Sequence, residues 1–157
     1  MTLKSTRGNF KPGDRGERGA ALVEFSIAAL VFLTAIFAVL EFGRLLWVHN
    51  ALTDAARRGA RYAVSHTRAE AGDAQRMAVY GTTDDGATTP LVAGLTPGMV
   101  KVNHSGNFNV GEGTVTVKID AYDFKFVVPL VGTTIRMPEY TTTLTAESAG
   151  RVPGTLP

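Results

Sequence analysis

Residues 20–40 read AALVEFSIAALVFLTAIFAVL, and no other stretch of the chain is long and apolar enough to cross a membrane. A helical span needs about 20 apolar residues to cross a hydrocarbon core of roughly 30 Å. The stretch has 21 residues and one charge, Glu24. A carboxylate in hydrocarbon is costly and usually has a partner. The segment therefore predicts a transmembrane helix in which Glu24 has a function. The alternative is that Glu24, near the edge of the span, reaches interfacial water.

The apolar run differs from that of a secretory signal peptide. A signal peptide has a shorter apolar region of about 7–15 residues, followed by a small-x-small cleavage site. Here the run is longer, and the tripeptide from Ala35 to Phe37 ends in a large residue. The sequence therefore favours a retained anchor.

Charge is distributed unevenly around this span. Residues 1–19 carry five basic and two acidic side chains, whereas residues 41–157 carry 11 of each. Because positive charge favours the cytoplasmic side, we expect the N-terminus to be cytoplasmic and residues 41–157 to lie outside the membrane. The distal part has no basic stripe with interleaved aromatic residues, so nucleic acid is not an expected partner. The chain has no cysteine, which excludes disulfides and thiolate metal sites.

Helical periodicity continues beyond the span. Apolar and small residues recur at three- and four-residue steps, and no proline interrupts the pattern, so one helix is predicted from Ala20 to about Val64. Trp47 lies just past the span, where indole rings favour the headgroup region. The stripe comprises Phe42, Leu45, Leu46, His49, Leu52, Ala55, Ala56, Gly59, Ala60 and Ala63.

The distal part predicts a short helix and a small sheet. Arg68–Tyr80 has helical periodicity and ends at Gly81, and a Gly-, Pro- and Asp-rich loop follows over residues 81–98. The apolar run Phe124–Leu130 is either core or a contact surface for another subunit. Alternating strands are predicted at Met99–Asn103, Thr114–Tyr122 and Tyr140–Ser148. The predicted fold class is α+β, with a long N-terminal helix, transmembrane in its first half and amphipathic in its second, packed on an antiparallel sheet of about three strands.

The sequence has few candidates for catalysis. His49, His66 and His104 lack the spacing of metal ligands. Ser65 and His66 precede Asp73, but no nucleophile-elbow glycines surround the serine. Asp84-Asp85-Gly86 lacks the alternating oxygen ligands of a calcium loop, and Asp120 and Asp123 do not form a plausible acid–base pair. We therefore predict no enzyme activity, no cofactor and no metal.

Three motifs carry a resemblance to a known family. Gly19 precedes Glu24-Phe25 by four intervening residues, the span ends in Glu41-Phe42-Gly43-Arg44, and NALTDAARRGARYA follows over residues 50–63. From Arg15 to Thr67 the chain resembles the TadE-like family of Tad (tight adherence, type IVc) pilus proteins.

The resemblance implies a minor pilin or pseudopilin, with a pilin-like fold, made as a bacterial inner-membrane precursor. It implies cleavage by a prepilin peptidase at Gly19–Ala20, which makes Glu24 the fifth residue of the mature chain. Glu24 and Phe25 are the expected assembly residues, with Glu24 paired to the new α-amine within one subunit or between neighbours. The implied partners are the peptidase, other Tad pilus subunits, the inner-membrane assembly platform and membrane lipid, and the product could be incorporated in the pilus.

The predicted layout has five segments, and two alternatives remain. An uncleaved, membrane-anchored accessory protein that binds pilus or secretion machinery is the main alternative, and an envelope enzyme is the other. The segments are a basic leader at 1–19, a transmembrane segment at 20–40, an amphipathic continuation at 41–66, a small outer α+β domain at 67–149 and a disordered tail at 150–157.

Overall fold

The computed structural model describes the backbone of residues 14–106, 113–127 and 134–146, and the side chains of these residues from Gly19 onward. The chain divides into two compact units, Met1–Leu40 and Glu41–Pro157. The predictions for most of the leader, for residues 128–130 of the apolar run and for the tail at 150–157 lie outside the described residues.

Helix α1 extends over Asp14–Ser65 and has 52 residues. It ends within a residue of the predicted position but begins earlier than the predicted Ala20. Asp14 and Glu17 lie at this earlier start, where acidic residues favour a helix N-terminus. Gly19 therefore lies within the helix rather than before it.

The distal half of α1 supplies one side of the core of the second unit. Its buried positions follow a three- and four-residue spacing, as predicted, but the face differs at its beginning. Phe42 and Leu46 are exposed, and Val48 rather than His49 is buried. Leu45 is partly buried against the core. The fully buried apolar positions of the helix begin at Val48 and are Val48, Leu52, Ala55, Ala56, Ala60, Ala63 and Val64.

A short second helix packs against α1. A 3-10 turn at Arg68–Glu70 leads into α2, Ala71–Tyr80. Gly81 ends α2 with φ of 75°, and its N–H donates to the Met77 carbonyl, so glycine suits this left-handed position. Small residues allow close approach of the helices, because a Cβ on Gly59 would lie 3.1 Å from the Ala78 Cβ.

The strands form two antiparallel sheets. A three-stranded sheet has the order β1-β2-β5, and a separate two-stranded hairpin, β3-β4, is inserted between β2 and β5 in the chain. Val115, Val117 and Ile119 of the central strand face the core. The predicted α+β fold is therefore confirmed. The strands are β1 Val100–Ser105, β2 Thr114–Ile119, β3 Asp123–Lys125, β4 Thr134–Arg136 and β5 Tyr140–Thr145.

The prediction of β2 was too long. The strand ends at Ile119, because Ala121 adopts φ of 61° and breaks the alternation. Tyr122 then points into the core region, where its hydroxyl donates to the Ala93 carbonyl over 2.7 Å. Within the apolar run, Phe124 belongs to the core, as one interpretation predicted. Val127 is exposed, and a subunit contact at this residue stays a prediction.

Candidate functional site

The proposed processing and assembly residues lie in the first unit, on α1. Gly19, Ala20, Val23, Glu24, Ile27 and Ala28 line one shallow, largely apolar hollow on the helix. Phe25 lies next to Glu24 in sequence and is 71% exposed. Around the helix axis Ala20 lies about 40° from Glu24, whereas Phe25 lies about 100° and Gly19 about 140° from Glu24, in opposite directions.

Glu24 differs from the other polar side chains of the apolar segment. Ser26 donates to the Leu22 carbonyl over 2.7 Å, and Thr34 donates to the Leu30 carbonyl over 2.8 Å. Such bonds to the preceding turn satisfy a hydroxyl without water. Among the side chains that the structure describes, Glu24 has neither a hydrogen bond nor an ion pair, and it is exposed. An outside partner is needed if this segment lies in lipid.

The apolar segment of α1 has the composition of a membrane span. From Gly19 onward, its most apolar 18-residue window has a mean hydropathy of 2.4 and none of it is buried in the protein. Length and composition make it compatible with a membrane anchor. Many of its large side chains are exposed, and a large exposed apolar patch is typical of a surface that contacts a membrane or another protein.

A cluster of charged side chains lies directly after the apolar segment. Glu41 is only 8% exposed and pairs with the Arg44 guanidinium over 2.8 Å. The Val127 N–H donates to Glu41 Oε1 over 3.3 Å. Arg44 also donates to the Lys125 carbonyl and lies 4.1 Å from the centre of the Phe124 ring. Sequence reasoning missed this cluster, because its partners are more than 80 residues away.

Two further polar groups stabilise the second unit. His49 Nδ1 lies 2.8 Å from the Tyr140 hydroxyl, and the two rings meet edge to face. Burial, and to a smaller extent the nearby Tyr122, raises the pKa of Tyr140 above its ordinary value. This arrangement links α1 to β5 and accounts for His49 as a structural residue.

Ser65 and His66 belong to the end of α1. Ser65 Oγ donates to the Tyr62 carbonyl over 3.0 Å, and His66 Nδ1 lies 2.8 Å from the same carbonyl. The His66 ring stacks on Tyr62 with centroids 3.8 Å apart. Both polar groups thus contact the Tyr62 carbonyl, which lies in the last helical turn, where carbonyls lack helical partners. Among the described residues, no group of three or more His, Asp or Glu side chains is placed to hold a metal ion.

The family comparison agrees with the resemblance noted from the motifs. The family model described as TadE-like protein matches residues 19–61. The match begins at Gly19, contains Glu24 and covers less than half of the chain. No curated protein and no solved structure gives a match. The family is structural rather than enzymatic, and the match supports a Tad pilus-associated protein with an apolar N-terminal helix.

Proposed function

We propose that this chain, whose helix matches the TadE-like family, is a minor pilin or pseudopilin of a Tad-type pilus. It is made as a single-pass inner-membrane precursor with a cytoplasmic N-terminus and an extracytoplasmic second unit. A prepilin peptidase cleaves it between Gly19 and Ala20. The product then acts in pilus assembly or adhesion, together with other Tad pilus subunits and the inner-membrane assembly platform.

The observation that carries this proposal is the isolated carboxylate of Glu24, about one helical turn after Ala20. The hydroxyls of Ser26 and Thr34 are satisfied within α1, whereas Glu24 has no partner among the described side chains. Cleavage after Gly19 would create a largely protonated α-amine about one helical turn from Glu24. Pairing of these groups, within a subunit or between neighbours, would offset part of the cost of burying each charge.

The position of Gly19 within α1 suggests how the peptidase gains access. Cleavage requires the backbone to leave the helix locally, and glycine destabilises a helix interior by about 0.5–1 kcal/mol relative to alanine. Among the described residues, the space beside Gly19 is open, since no heavy atom lies within 4 Å of a Cβ built there. Gly19 thus combines a locally weaker helix with the absence of a side chain at the cleavage position.

The test is the N-terminus of the full chain after co-expression with an active Tad prepilin peptidase. Mass spectrometry should find a product that begins at Ala20, and Gly19→Ala should slow its formation or abolish it. Gly43→Ala is the matched control, because Gly43 also lies in α1 with no heavy atom within 4 Å of the added Cβ. This variant should be cleaved like the wild type.

An intact chain that begins at Met1 or Thr2, beside a known substrate cleaved by the same peptidase, would contradict processing. The uncleaved anchored accessory protein would then be the better proposal. Equal effects of Gly19→Ala and Gly43→Ala would instead indicate a general effect on α1, and would contradict the special role of Gly19.

A further inference from the structure

We infer that the second unit touches the membrane surface through Val127, at the end of the β3 segment, in addition to the anchor itself. The inferred partner is lipid, at the level of the headgroups and the adjoining acyl chains. The inference rests on the proposed anchoring of residues 20–40 in the membrane. It adds a contact that neither the apolar span nor the match at residues 19–61 includes.

Three contacts hold residues 123–127, here called the β3 segment, beside the first turn of the second unit. The Val127 N–H donates to Glu41 Oε1 over 3.3 Å, and Arg44 donates to the Lys125 carbonyl. The Arg44 guanidinium lies 4.1 Å from the centre of the Phe124 ring. Glu41 follows directly after Leu40, the last residue of the apolar stretch. The segment is therefore held at the helical turn where the proposed span ends.

The spacing along α1 determines how far this segment lies from hydrocarbon. A bilayer of about 40–45 Å has a hydrocarbon core of about 30 Å, which leaves roughly 5–8 Å of headgroup region on each side. At 1.5 Å per residue, Glu41 and Arg44 lie about 1.5 and 6 Å past Leu40 along the helix. Tilt of the helix would bring them closer to the hydrocarbon core. Glu41 and Arg44, the two residues that hold the β3 segment, thus fall within the headgroup region.

The side chains exposed at this level suit an interfacial position. Val127 is 75% exposed and Trp47 is 59% exposed, and both line one cleft of about 680 Å³ with Arg44 and Lys125. Phe42 and Leu46 are exposed on the rest of the helix circumference. Tryptophan favours membrane interfaces, and transfer of an exposed valine side chain out of water is favourable.

Charge at this surface is balanced, which identifies the kind of attraction. Arg44 and Lys125 are opposed by Glu41 and Asp123, and Glu41 is already paired with Arg44. Because the four charges sum to zero, an anionic lipid should add little to the contact. The contact is therefore mainly apolar, and its depth should be similar in neutral and anionic bilayers.

Site-directed labelling tests the inference, since the chain has no cysteine. Val127→Cys, Asn103→Cys and Phe32→Cys are each spin-labelled in the full chain, in nanodiscs that hold one chain each. Asn103 is the aqueous control: it is exposed in β1, next to His104, whose Nε2 lies 3.4 Å from the Ala63 carbonyl at the far end of α1. Phe32 reports on the span.

The measured quantity is the ratio of collisions with oxygen, which partitions into lipid, to collisions with a water-soluble nickel chelate. We expect this ratio to be highest at residue 32, intermediate at residue 127 and lowest at residue 103, in phosphatidylcholine with or without phosphatidylglycerol. Equal ratios at residues 127 and 103, with a high ratio at residue 32, would overturn the inference and leave the anchor intact. A low ratio at residue 32 would overturn the anchor itself.

A protein partner gives a different result. Shielding of residue 127 from the nickel chelate that appears only when other pilus subunits are added would show a subunit contact, and it would contradict the lipid contact. Single-chain nanodiscs exclude a second copy as the source of the shielding.

Discussion

At the residue scale, Glu41, which is buried, and Glu24, which lies in the apolar segment, have different surroundings. Glu41 is held by Arg44 and by the Val127 N–H, whereas Glu24 has no partner among the described side chains. The composition of residues 20–40 was enough to single out Glu24. The sequence could not indicate the burial of Glu41, because that depends on a segment more than 80 residues away.

Glu24→Gln should be cleaved normally but assemble poorly. The amide keeps the size of the side chain but cannot pair as an anion with an α-amine, so cross-linking to neighbouring pilus subunits should fall at least severalfold. Ser26→Ala is the control, because Ser26 bonds only to the Leu22 carbonyl among its described contacts. The readout is the N-terminus by mass spectrometry and the cross-linked fraction in cells. Equal cross-linking of Glu24→Gln and wild type would reject the pairing role.

Gly59→Ala should destabilise the second unit by about 1–3 kcal/mol, the usual range for overpacking a core. The added Cβ would lie 3.1 Å from the Ala78 Cβ, 3.2 Å from the Ala74 carbonyl oxygen and 3.3 Å from Val117 Cγ1. Chemical denaturation measures the change in the free energy of unfolding. Gly72→Ala, with no heavy atom within 4 Å of the new Cβ, should be neutral or stabilising. A neutral Gly59→Ala would show that the helices can move apart freely.

At the element scale, the junction between α1 and α2 depends on a charged cap. The backbone N–H and the hydroxyl of Thr67 each donate to Glu70 Oε2 over 2.8 Å. These two bonds hold the pKa of Glu70 below its ordinary value of 4.5, and the bond from the Thr67 backbone has the larger effect. The carboxylate therefore closes the N-terminal turn that leads into α2.

The stability contributed by this cap should depend on pH. A carboxyl group with a lowered pKa in the folded state stabilises fully above its ordinary pKa, and this contribution is lost as the pH falls through the folded value. Glu70→Gln should therefore unfold more easily than wild type at pH 7, and the difference should shrink below about pH 4.5. Unfolding midpoints from pH 7 to 3 measure this. Asp54→Asn is the control, since its pair with Arg57 is long and exposed. A constant difference at all pH values would contradict the charged cap.

Helices and strands were predictable where the spacing of hydrophobic residues repeated several times along the chain. The distal half of α1, α2 and the centre of β2 each show several repeats, and the structure has all three. The β3–β4 hairpin was missed, because its strands have three residues each and one of them is wholly exposed. The end of β2 was misplaced because Ala121 adopts a left-handed conformation that alanine seldom takes.

At the scale of the whole molecule, the buried core and most of the exposed apolar surface lie in different units. All buried hydrophobic residues among those described lie at position 48 or later, whereas the large exposed apolar side chains are concentrated before residue 48. Residues 20–40 thus contribute no core to the second unit. The match at residues 19–61 includes parts of both units, so it covers the apolar segment and part of the core.

A fragment that begins at Glu41 should fold without the apolar segment. We expect cooperative thermal unfolding, with near-ultraviolet dichroism from Trp47 and the tyrosines, in aqueous buffer. Leu52→Ala in the same fragment is the comparison: Leu52 is fully buried, so truncation should cost about 2–5 kcal/mol. A fragment that lacks a cooperative transition would show that residues before Glu41 are required for folding.

The order of the strands has a consequence for synthesis of the chain. The central strand β2 pairs on one side with β1, which precedes it, and on the other with β5, which comes after the hairpin. While the ribosome has yet to deliver Thr145, one edge of β2 lacks its neighbour and its backbone groups are open to other strands. Completion of the three-stranded sheet must therefore await synthesis through residue 145, which leaves a period in which a chaperone or another nascent chain can engage that edge.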